Sequence, residues 1–248
     1  MSDQEEMLNK MREIALLNPE NIRIIEASVN SEIQLEFFET LQSVIKLKNT
    51  ADEPQELFKA LNNPSNSLIK KKEILVKLVS YGEVETYRII ESYLKNPEPE
   101  LKSWAYMAYQ QARMFLESNL LEESKIYIAS GLGGKDHRLR YNFAFTSKNK
   151  SFDKTQKSII NGEIEYFLKK NDGIIEQLKY KKSFVICTAL VPIHINLVEM
   201  IQDMILEINQ YGNFLKENVF LTNEKQITEV DLEHIFNEDK SDNIADKD

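Results

Sequence analysis

Apolar residues recur at helical spacing through the first half of the chain. Ile74, Leu75, Leu78 and Val79 form one stripe, and Ile89, Ile90, Tyr93 and Leu94 the next. Trp104, Ala105, Ala108, Ala112 and Phe115 form a third. Alanines beside large aromatics suit close packing of helices. The spacing predicts helices over 4–17, 21–48 with a break near Asn30, 53–62, 66–81, 83–95 and 98–118. Prolines 19, 54, 64, 97 and 99 fall in or beside the polar breaks, where helices stop or start. Of the seven glycines only Gly82 precedes Gly131, as expected of packed helices, which tolerate glycine poorly.

Beyond Leu121 the pattern changes. KIYIASGLGG and RLRYNFAFTSK are rich in β-branched and aromatic residues and bracket a glycine-dense turn, which predicts a hairpin. In the second arm Leu139, Tyr141, Phe143 and Phe145 alternate with Arg140, Asn142, Ala144 and Thr146, giving one apolar and one more polar face. A helix with Ile159, Ile160, Ile164, Phe167 and Leu168 follows, opened by Asp153 as cap. SFVICTALVPI reads as a central strand buried on both faces. Residues 195–215 read as a helix, Asn218–Thr222 as a short edge strand and Thr228–Phe236 as a last helix. The fold class expected is α+β: a helical-repeat-like N-terminal bundle, then a small two-layer α/β sandwich. The corresponding divisions are 1–122, 123–236 and an acidic, solvated tail at 237–248.

Asn-Pro recurs at 18–19, 63–64 and 96–97, with spacings that overlap the periods of helical-pair repeats. Together with the stripe in LIKKKEILVKLVSYG, the short turn at Gly82 and the long aromatic helix after NPEPE, this makes Ser67–Glu117 resemble a HEAT-like helical repeat. The resemblance covers about 50 of the 248 residues. It implies stacked helices that offer an extended surface to a protein partner.

Charge is distributed unevenly. The formal net charge is −9; residues 1–124 carry −7, residues 125–236 carry +1 and the last twelve −3. The acidic first half disfavours a nucleic-acid partner, because such affinity comes largely from cations on phosphates. No apolar stretch approaches the ~20 residues of a membrane span. The N-terminus MSDQEEMLNK is acidic where a secretory signal is basic and then apolar, and one cysteine makes no internal disulfide. Both point to the cytoplasm.

The sharpest chemical feature is Gly131-Leu132-Gly133-Gly134-Lys135-Asp136-His137-Arg138. Backbone amides of Gly131, Gly133 and Gly134, with Lys135, His137, Arg138 and Arg140, are the candidate anion-binding set. The segment lacks the Walker and dinucleotide spacings, and a hairpin turn also explains its glycines. Tyr106, Tyr109 and Arg113 are the candidate partner-binding residues, being types enriched at interface hot spots. The run Lys70-Lys71-Lys72 reads as a solvated helix face. His137, His194 and His234 show no metal-ligand spacing, and Cys187 sits among aliphatic residues as a core thiol. No catalytic set, metal or cofactor is assigned. The sequence supports a non-enzymatic, protein-binding scaffold of the cytoplasm. The alternatives are a small-anion or nucleotide-binding enzyme or sensor built on residues 131–138, and an RNA-binding module using Arg140 and lysines 148, 150 and 154.

Overall fold

The computed structural model describes residues 22–47, 52–121 and 126–242. The chain is α+β, with helices first and an antiparallel sheet after them. It divides into two compact units, 22–129 and 130–242 among the described residues. The first half of the tail expected at 237–248 continues the last helix as far as Asp242, and the expected helix 4–17 lies outside the described residues.

In the helical unit, strand β1 (Ile22–Ile24) pairs in parallel with β2 (Ile126–Ile128). Residues 22–30 are therefore not helical. Ile22 and Ile24 are buried with Arg23 half-buried between them, a period of two that suits a strand. Helix α1 (Ser31–Leu47) starts at Asn30, whose Oδ1 accepts the Glu32 N–H at 2.7 Å, at the break read from the sequence. Helix α2 (Pro54–Leu61) opens on proline, and α3 (Leu68–Tyr81) on Ser67, whose hydroxyl accepts the Lys70 N–H. Gly82 ends α3 in the left-handed region, at φ 64°. Helix α4 (Val84–Leu94) and a 3-10 turn (Pro99–Leu101) lead to α5 (Lys102–Leu121). Asn63-Pro64 and Asn96-Pro97 lie in the turns between helices. Helix α3 is central and packs on the other four. The three stripes read from the sequence converge on one core, in which Leu75, Leu78, Ile90 and Trp104 are fully buried beside Phe37.

The second unit contains β3 (Gly134–Lys135), β4 (Arg138–Ser147), α6 (Lys154–Lys170), β5 (Ile174–Lys181), β6 (Phe184–Pro192), α7 (Leu197–Gln210), β7 (Leu215–Thr222) and α8 (Glu229–Asp242). Strand order is β5-β6-β4-β7, all antiparallel, with the two-residue β3 also on β4. The chain order β-α-β-β-α-β with this strand order is the ferredoxin-like split β-α-β arrangement. Asp153 and Gln156 form a capping box at the start of α6. Helices α6 and α7 pack on the face that carries Phe143, Phe145, Val185, Cys187 and Ala189. All nine residues of β6 are buried.

Three expectations change here. The hairpin partner of β4 is β3, whereas Ile126–Ile128 pair with β1. Strand β5 was not expected. The face of β4 with Asn142, Ala144 and Thr146 is not open, because Ile227 and Leu232 pack over Ala144, Phe184 and Ile186. The sandwich thus gains a third, partial layer.

Candidate functional site

A concavity of the helical unit is built from three helices, each contributing one stripe. Helix α1 presents Thr40, Ser43, Val44 and Leu47; α2 and its cap present Glu53, Glu56, Leu57 and Ala60; α3 presents Lys70, Glu73, Ile74 and Lys77. Each set follows i, i+3, i+4, i+7, the spacing that keeps side chains on one face of a helix. With Asp52 they enclose a groove of about 800 Å³. Its floor is aliphatic, from Val44, Leu57, Ala60 and Ile74. Leu47 at its edge is 75% exposed.

Charge surrounds the floor. Among the described lining residues, Asp52, Glu53, Glu56 and Glu73 stand with Lys70 and Lys77. Lys77 pairs with Asp52, Lys70 with Glu73 at 3.4 Å, and Glu56 with Lys59 at 2.7 Å. Thr40 and Ser43 donate their hydroxyls to the carbonyls of Glu36 and Glu39, which leaves methyl and methylene surface toward the groove. An apolar floor with a negative rim suits an amphipathic cationic segment.

The run Lys70-Lys71-Lys72 splits by helix phase. Lys71 is 1% exposed and its ammonium pairs with Glu98. Lys72 pairs with both oxygens of Glu36, at 2.8 and 3.0 Å, and lies 4.7 Å from the Trp104 ring centroid. Only Lys70 fits the solvated face expected. Tyr106, Tyr109 and Arg113 are brought to one helix but turned to internal tasks. The Tyr106 hydroxyl accepts the Ala27 N–H at 3.2 Å, Tyr109 packs at a tilt against the Tyr87 ring and accepts its hydroxyl proton, and Arg113 pairs with Glu117 at 2.7 Å. Glu117 also accepts from Tyr127, whose phenol burial pushes up to about 12.

The glycine loop of the second unit is braced, with its four residues 131–134 buried. The Leu132 amide donates to Asn223 O at 2.9 Å and the Gly133 amide to Ser130 O at 3.0 Å. Gly133 takes φ 69°, and a Cβ on Gly131 would fall 1.9 Å from the carbonyl oxygen of Glu224. Arg138 grips Asp172 through Nε and Nη2, at 2.6 Å each. Arg140 holds both oxygens of Glu176 and donates Nη1 to Leu132 O at 2.7 Å. Lys135, Asp136 and His137 are exposed at the tip. The loop's polar groups are therefore largely spent within the fold. Cys187 is buried in the core under α6 and α7, and burial pushes its thiol up to about 12. Among the described residues no group of three or more His, Cys, Asp or Glu side chains is placed to hold a metal, and no helix is long and apolar enough to cross a membrane.

The groove was missed from sequence because its walls are assembled by tertiary packing. The signal was present only in Leu47 of α1, an apolar residue outside the core stripe that is exposed at the groove. No family model matches the chain, and a search of curated proteins gives no significant match.

Proposed function

We propose that the protein is a non-enzymatic interaction protein whose helical unit receives an amphipathic, basic helical segment of a protein partner. One observation carries this reading: three helices direct i, i+3, i+4, i+7 stripes into a single groove with an aliphatic floor and, among its described lining residues, four carboxylates to two ammoniums. Apolar anchors of the partner at i, i+3 or i+4 and i+7 would cover the floor, and its Lys or Arg would face Glu53 and Glu56. The HEAT-like resemblance of Ser67–Glu117, which includes the α3 wall, supports the same class of function. A single buried cysteine suits the reducing cytoplasm as its setting.

The test is selection of a displayed library of helical peptides on the full chain, followed by affinity measurement. Enriched peptides should combine an apolar stripe with basic residues. Leu47→Asp and Glu53→Lys, both at exposed positions, should each weaken them about tenfold while leaving thermal stability unchanged. Peptides that bind both variants as tightly as the parent would overturn the reading.

A further inference from the structure

The second unit is electrically polarised along its strands, and this feature lies outside the groove. Strand β4 ends, β5 ends, and β6 and β7 begin at the same end of the sheet. The Ser147 amide donates to Ser183 O at 2.7 Å and the Lys148 amide to Phe214 O at 2.8 Å, which ties three connections together there. Residues 147–157, 181–184 and 211–216 contain seven lysines and one carboxylate, Asp153. That carboxylate is occupied in capping α6. The connections at the other end, 130–138, 171–174, 192–197 and 222–228, carry three cationic and three acidic side chains.

Most of this charge is not consumed by the fold. Lys182 pairs with Glu229 and Glu233 of α8, and Lys157 lies 5.2 Å from the Tyr180 ring centroid. Lys148 donates to the neutral Asn213 side chain. Lys150, Lys154 and Lys181 are exposed and make no ion pair among the described residues. Like charges gathered with few counter-charges create a positive potential that concentrates anions at this end. The chain's overall −9 does not decide the matter, because at 0.1 M salt charges beyond about 10 Å are screened.

An aromatic ring stands in the same place. Tyr211, at the C-terminal end of α7, is 58% exposed, whereas Phe152 and Phe214 in the same connections are buried. The bonds from Lys148 to Asn213 and Phe214 fix that lysine within the turn that Tyr211 begins. Lysines tracking a backbone beside an open aromatic face form the arrangement that binds single strands without sequence preference. We propose that this end of the α/β unit binds single-stranded nucleic acid, with Lys150, Lys154 and Lys181 on phosphates and Tyr211 stacked on a base.

The experiment is fluorescence anisotropy of a labelled 20-nucleotide oligo-U and oligo-dT with the full chain at 50 and 200 mM salt. Three or four neutralised phosphates give a loss of affinity of about 20- to 50-fold between the two salts. Combined Lys150→Glu, Lys154→Glu and Lys181→Glu should abolish binding, and Tyr211→Ala should weaken it about tenfold. Lys135→Glu with Lys225→Glu, at the other end, should leave it unchanged. Thermal melts establish that each variant is folded. Absence of binding at 50 mM salt, or equal loss from changes at either end, overturns the proposal. Competition by polyglutamate as effective as by oligo-U, with Tyr211→Ala inert, overturns it in favour of an acidic polypeptide.

Discussion

Arg140 clamps Glu176 with two nitrogens while its third reaches the carbonyl of Leu132 at 2.7 Å, so one guanidinium joins β4, β5 and the glycine loop. Both partners are partly shielded, with side-chain exposures of 21% and 29%. The fork geometry cannot be reproduced by an ammonium.

Arg140→Lys should therefore destabilise the second unit by about 1–2 kcal/mol, with Glu176→Gln similar, read by urea denaturation. The Arg140 hydrogen bonds and charge hold the Glu176 carboxyl below its ordinary value near 4.5, against the opposing effect of burial. Lys225 and Thr228 lower Asp231 likewise. Depressed carboxyls contribute stability that is complete above their unfolded values and is lost as pH falls through their folded ones. The chain should lose stability on acidification below about pH 4.5, and Glu176→Gln should flatten that limb.

Gly131 and Gly162 should respond to alanine with opposite signs. At Gly131 the new methyl meets the Glu224 backbone at 1.9 Å, which forces the 223–228 segment away and costs about 3 kcal/mol. At Gly162, inside α6, nothing lies within 4 Å of a Cβ. Gly162→Ala should stabilise by about 0.5–1 kcal/mol through helix propensity. Paired thermal melts decide both.

Asn142 is fully buried and holds the closing segment down. Its amide donates to Lys225 O and to Gln226 Oε1, both at 3.2 Å, and its oxygen accepts from Thr188 at 2.6 Å. Asn142→Leu should cost about 2–3 kcal/mol by leaving these groups unpaired. Adding Thr188→Val should recover part of it, and amide exchange should quicken across 223–232 in the single variant. Unchanged exchange there would show that the apolar contacts of Leu232 alone hold α8.

Cys187 should be silent toward a thiol reagent at pH 8 and react fully in denaturant, because burial keeps its thiol protonated. Fast labelling of the native chain would contradict the buried position. Cys187→Ser should cost about 1–3 kcal/mol, since its hydroxyl would lack a partner among Phe143, Val185 and Ala189.

Elements that bury one continuous stripe were legible from sequence. Helices α2 to α5 fall within a few residues of the expected ranges, and β6 lies where an unbroken apolar run placed it. Strand β5 was lost because its register shifts between Ile175 and Gln177, which sends Ile175, Leu178 and Tyr180 toward the helices out of step with alternation. Strand β1 was lost because its partner lies beyond all five helices of its unit, and no local window contains both. The loop arginines were read as binders of an external anion, whereas Arg138 and Arg140 hold carboxylates of the fold itself, Asp172 just before the unseen β5 and Glu176 on it. The groove is a property of assembly, visible only once separated stripes meet; lysines 148, 150 and 154 were read from the sequence, and assembly adds Lys181 and Tyr211 from other connections.

The parallel pairing of Ile22–Ile24 with Ile126–Ile128 has a kinetic consequence. A clasp that closes a loop holding every helix of its unit has the longest sequence separation in that unit, and its closure entropy is offset only after the helices have packed. It should be the last contact made on refolding and the first released on unfolding. Between those moments two short isoleucine-bearing edges stand open, and edges of that kind recruit other chains. The concentration dependence of refolding should accordingly be set by six residues at the base of the helices, not by the helices themselves.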